Sequence, residues 1–127
     1  MAGFETMHLP AEPTDVAPDG SDVRVLLRVD AGGMAHFELA PGRVSQAVRH
    51  RTVEEICVIG GRGEMWRSQE DRSETVELTP GTCLTIPPGT RFQFRSLGPE
   101  PLAALGVTMP PWPGADEAVR VDGCPDW

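Results

Sequence analysis

Short apolar-rich runs alternate with turn signals along most of this chain, and long apolar stripes at helical spacing are hard to find. Runs of that length bounded by glycine and proline predict strands, on which side chains two apart share a face. Strands are expected at VRVLLRV, GGMAHFELA, RVSQAVRH, EEICVI, EMWRSQ, ETVEL, TCLTI, TRFQFRS and PLAALGVTM. Chain reversals punctuate them at Pro41-Gly42, the GGRG of residues 60–63, Pro80-Gly81 and Pro88-Gly89. Proline presets one turn dihedral, and glycine accepts the positive φ that other residues resist. Short strands separated by regular turns predict an all-β domain, either a closed barrel or a double-sheet jelly roll.

The two ends read differently. Residues 1–21 are rich in proline and acid and are expected to form an extended arm. Residues 22–110 carry the strands, and residues 111–127 hold so many prolines that an irregular arm packed on the barrel is expected. A chain of 127 residues suffices for one hydrophobic core and not two.

Charge narrows the partners. The net charge is −8, which favours solubility and opposes phosphate backbones, so nucleic acid and anionic membrane are not expected as partners. Lysine and tyrosine are absent, which excludes Schiff-base chemistry through a side chain and a tyrosine general acid. Cys57, Cys83 and Cys124 are odd in number and lack C-x-x-C spacing, as expected of reduced thiols. The first residues lack the pattern of a secretory signal, and no apolar run approaches the roughly 20 residues of a membrane span. A cytoplasmic location is the resulting expectation.

Two stretches resemble the motifs of the cupin superfamily. The first motif reads G-x5-H-x-H-x(3,4)-E-x6-G, and Gly42, Val48, His50, Glu54 or Glu55, and Gly61 follow it. The second reads G-x5-P-x-G-x2-H-x3-N, and Gly81, Pro87, Gly89, Phe92 and Ser96 fall in register with it. The resemblance covers most of residues 22–110 and implies the cupin double-stranded β-helix, a jelly-roll barrel. It also implies a homodimer, because small cupins are commonly dimeric.

In metal-binding cupins, two histidines and a glutamate of the first motif and a histidine of the second hold the ion. By resemblance, this chain keeps His50 and either Glu55 or Glu54 and replaces the other histidines with Val48 and Phe92. Two ligands are too few for a firm transition-metal site, since catalytic zinc takes three from the protein. No cofactor is therefore expected. A divalent transition metal would have to draw on His50, Glu55 or Glu54 and unconventional ligands such as Cys57.

What remains is His50 and Glu55 as a proton donor–acceptor pair, the carboxylate expected to raise the imidazole pKa and orient its ring. Val48, Cys57, Phe92, Phe94 and Ser96 are expected to share the inward face and bind a small organic substrate. Such a pair could isomerise, epimerise, dehydrate or cyclise an apolar molecule, as in bacterial secondary metabolism. A non-catalytic binding or sensing protein and a metal-dependent dioxygenase or cyclase stand as alternatives. A plainer reading has His50 and Glu55 simply hydrogen-bonded to each other in a packed barrel.

Other residues carry weaker signals. His36 is expected to face outward if Phe37 faces the core, and Cys57 to be a small buried apolar group more often than a nucleophile. Arg49, Arg51, Arg91 and Arg95 either form an anion cluster or pair with nearby carboxylates. Trp112 either plugs the barrel or lines a ligand pocket.

Overall fold

The computed structural model describes residues 3–127. Among the described residues eleven strands run in chain order: β1 (Asp15–Val16), β2 (Asp22–Val29), β3 (Gly32–Leu39), β4 (Val48–His50), β5 (Glu54–Ile59) and β6 (Gly63–Gln69), then β7 (Arg72–Leu78), β8 (Cys83–Ile86), β9 (Arg91–Ser96), β10 (Leu102–Met109) and β11 (Ala118–Arg120). A 3-10 turn, Ala115–Glu117, precedes the last strand. Among the described residues no helix is long and apolar enough to cross a membrane.

The strands form two sheets, ordered β1-β2-β3-β10-β5-β8 and β11-β4-β9-β6-β7. Every neighbouring pair is antiparallel. Strand β5 shows how the sequence dictates the layers. Its residues alternate exposed and buried without a break, with Glu55, Cys57 and Ile59 inward and Glu54, Ile56 and Val58 outward. A shift by one residue would turn three buried groups into water, so the register is strongly specified.

The inner faces of both sheets meet in a core that includes Leu39, Ile59, Met65, Leu78, Leu84 and Leu102. Between β8 and β9, Gly89 sits at φ 82°, a left-handed turn position that a side chain would strain. Its amide donates to the carbonyl of His50, tying this turn to the end of β4.

The sequence-based strand at RVSQAVRH shrinks to Val48–His50, preceded by an isolated bridge between Val44 and Arg95. The C-terminal segment departs from expectation in the other direction. Residues 115–121 contain no proline, and β11 pairs with β4, placing Ala118 opposite His50. Beyond it, Cys124 packs with Ala47 and Trp66 on the outer side of the second sheet, beside Val121 and Trp127. At the other end, Arg24 donates to the carbonyls of Pro10 and Ala11, fastening the N-terminal segment across the outer face of β2.

Candidate functional site

The inner faces leave a cavity of about 270 Å³ with mainly hydrocarbon walls. Val48 and His50 reach it from β4, Glu55 and Cys57 from β5, and Phe92 and Phe94 from β9. Residues from both ends of the chain complete the wall, Asp15 to Asp19 on one side and Trp112, Gly114 and Ala115 on the other. Strand alternation accounts for the first group. The second depends on where the two terminal segments fold back.

His50 is only 4% exposed and stands edge-on between two aromatic rings, 5.1 Å from Phe92 and 5.0 Å from Trp112. Its Nδ1 is buried without a hydrogen-bond partner. Removal from water lowers the imidazole pKa to about 4, only partly opposed by the negative charge of Glu117. His50 is therefore neutral at ordinary pH. The sequence-based expectation had the opposite sign, because it assumed an adjacent carboxylate would outweigh the loss of solvent.

Glu55 is 7% exposed and faces the cavity, whereas Glu54 points to solvent. Burial, helped by the neighbouring charge of Asp19, raises its pKa to about 7. The space for its carboxyl comes from the facing strand: a Cβ on Gly106 would collide with Glu55 Oε2 and come within 3.1 Å of Phe37. His50 and Glu55 thus share one cavity without bonding to each other. Each responds to a different neighbour, Glu117 for the first and Asp19 for the second.

Asp19 is the polar residue that sequence reading missed. It is 8% exposed, and its Oδ1 accepts hydrogen bonds from the backbone N–H of Ser21 (2.9 Å) and from Ser21 Oγ (2.6 Å). Burial pushes its carboxyl pKa up, against the pull of those bonds. The only local signal was D-G-S, an acid placed to bond two residues ahead in a turn. Nothing in that signal places the turn at the barrel.

The remaining expected site residues separate. Val48, Cys57, Phe92 and Phe94 line the cavity. Ser96 does not: it is buried outside the cavity wall, opposite Gly63, with its hydroxyl unpartnered. The periodicity placed Ser96 on the right face, but the cavity ends before that position. The Cys57 thiol is pushed up to about 12, chiefly by burial and next by the charge of Glu55, so it lacks the thiolate a nucleophile requires.

The arginines do not gather into an anion site. Arg95 binds Glu64 at 2.6 Å and lies over the Trp127 ring, Arg91 donates to Ser68, and Arg51 donates to the carbonyl of Asp116. His36 faces away from the cavity, 3.8 Å from Glu38.

Two antiparallel sheets enclosing an apolar, partly acidic cavity define a jelly-roll protein with an internal small-molecule-sized chamber. The family follows from the sequence inside that frame: residues 35–108 match the cupin domain family, and the chain belongs to it. Solved structures agree on the fold. The chain superposes on oxalate decarboxylase from Bacillus subtilis with a TM-score of 0.76 at 15% identity, covering 95% of this chain and 33% of that one. For the capsular polysaccharide assembling protein CapF from Staphylococcus aureus the TM-score is 0.71 at 13% identity, covering 85% of this chain and 31% of that one. For KdgF from a Halomonas species the values are 0.59 and 17%, covering 78% and 87%. The chain thus spans about a third of the first two proteins. No curated protein sequence matches it.

Many cupins hold a metal, and the donor set here does not fit one. Val48 and Phe92 pair across β4 and β9 at the first and last histidine positions and present hydrocarbon to the cavity. Among the described residues no three His, Cys, Asp or Glu side chains lie close enough together to hold an ion.

Proposed function

We propose that this cupin binds a small, largely apolar molecule in its cavity and transfers protons on it without a metal. The observation that carries the reading is that His50 and Glu55 face the same hydrocarbon-walled chamber unpaired, each free to meet a ligand. Their environments also push them apart, the imidazole to about 4 and the carboxyl to about 7. Opposed shifts of this kind assign roles: between those values Glu55 holds a proton to donate, and His50 offers an empty nitrogen to receive one. An apolar wall strengthens both interactions by excluding water.

Enolisation fits this pair most directly. The Glu55 carboxyl would donate to a carbonyl oxygen while His50 removes the adjacent carbon-bound proton. Return of that proton to the other face or to another carbon gives an epimer or an isomer. The test is hydrogen–deuterium exchange by NMR at the carbon next to the carbonyl in a panel of small apolar ketones. Exchange that rises with pH through about 4, falls through about 7 and drops at least ~100-fold in both His50→Ala and Glu55→Gln is expected. Exchange equal to wild type in both variants would overturn the reading. Ligand binding without exchange in any panel member would instead favour the non-catalytic binding alternative.

A further inference from the structure

The cavity's charges are one-sided. Three carboxyl residues, Asp15, Asp19 and Glu55, line it, and neither arginine nor lysine does among the described residues. The only other titratable groups on the wall are neutral, the imidazole of His50 and the thiol of Cys57. Glu55 is nine-tenths buried and receives no hydrogen bond that would hold its charge, while Asp19 is fixed in place through Ser21. A carboxylate or phosphate ligand would bury its charge beside the Asp19 carboxylate, with no cation on the wall to offset it. A positive or hydrogen-donating group meets ready acceptors at the same place.

We infer that the cavity selects small apolar amines and excludes acids, with Asp19 as the residue that positions the amine. This rests on the cavity being a ligand site and names its substrate class. An ammonium group at Asp19 gains a charge-assisted hydrogen bond, and the apolar remainder of the molecule fills the hydrocarbon space between the sheets. Asp19 suits the positioning role because Ser21 engages one of its oxygens, Oδ1, and so fixes the carboxyl plane. The chain's net charge of −8 adds a long-range attraction of the same sign.

Three probes of one shape separate the possibilities: benzylamine, benzyl alcohol and benzoate, each titrated by calorimetry and by protein NMR at constant ionic strength. Benzylamine is expected to bind tightest, benzyl alcohol about tenfold more weakly, and benzoate without measurable saturation. In Asp19→Asn, which keeps an oxygen for Ser21, the preference for amine over alcohol is expected to fall by about tenfold with alcohol binding little changed. Benzoate binding as tightly as benzylamine overturns the inference, as does an unchanged preference in Asp19→Asn. If that variant fails to fold, the order of the three probes on the wild-type protein decides alone. None of the probes has a proton next to a carbonyl, so the outcome is independent of whether proton transfer occurs.

Discussion

At the scale of single residues, the site is a matter of which groups lose water and what replaces it. Glu55 titrates near 4.5 when the chain is unfolded and near 7 in the fold, so its burial costs nothing at low pH. That cost grows as pH rises from about 4.5 to about 7, by on the order of 3 kcal/mol. His50 runs the other way: its fold-lowered value means stability is complete above 6.5 and is lost as pH falls through about 4. The two slopes oppose each other over the mildly acidic range. Urea denaturation at a series of pH values is expected to expose each slope on its own. The stability of Glu55→Gln relative to wild type should increase from pH 4.5 to pH 7, and that of His50→Gln should increase as pH falls from 6.5 to 4. A pH-independent difference for either variant would show that its group is solvated in the fold.

The cupin resemblance singled out His50 and a glutamate at 54 or 55, and the burial along β5 settles on Glu55 as the inward one. The sequence did not show their pKa shifts, nor that Ser96 falls outside the cavity. Desolvation depends on what covers a side chain from other strands, and the covering residues, such as Trp112, are far away in sequence.

At the scale of elements, strand β11 and the 3-10 turn before it are held by one carboxylate. Glu117 Oε1 accepts from Thr52 N (2.6 Å), Thr52 Oγ1 (2.9 Å) and Val53 N (2.8 Å). Burial pushes this carboxyl up, yet the bonds from Thr52 and Val53, with His50 adding a little, hold it below its ordinary value. The arrangement satisfies the backbone between β4 and β5 with a side chain from the C-terminal segment. Val53 has no exposed surface, so losing the acceptor strands a buried N–H. Glu117→Ala is expected to destabilise the fold by about 2–3 kcal/mol. Amide exchange should quicken first at Val53 and along β11, and Glu117→Gln should recover part of the loss. Unchanged exchange at Val53 would contradict the anchoring role.

The strand plan was largely legible at this scale, with β5 matching the expected EEICVI strand residue for residue. The C-terminal strand was not. Proline density argued against it, and β11 exists because Glu117 and the exposed edge of β4 supply partners from more than 60 positions away.

At the scale of the whole molecule, the terminal segments convert an open barrel into a chamber. Trp112 covers His50 from outside the sheets while remaining 37% exposed. Trp112→Ala is expected to leave the sheets intact and let water reach the imidazole, moving its pKa from about 4 back toward 6.5. Following the His50 ring protons by NMR titration measures this directly, with the NMR spectrum of the sheet amides as the control for folding. A value that stays near 4 would mean the strands alone dry the site.

The sequence by itself determined the all-β class, the cupin motifs, most of the strand plan and the loss of two histidines from the metal position. All of these are written in spacings of a few residues, where backbone geometry fixes which side chains share a face. The tertiary structure alone decided that Asp19 joins the cavity, that Glu117 rather than Glu55 is the charge His50 feels, and that acidic groups but no arginine line the cavity among the described residues. Those properties belong to contacts between segments that are distant along the chain, and both burial and electrostatic coupling are set by distance in space.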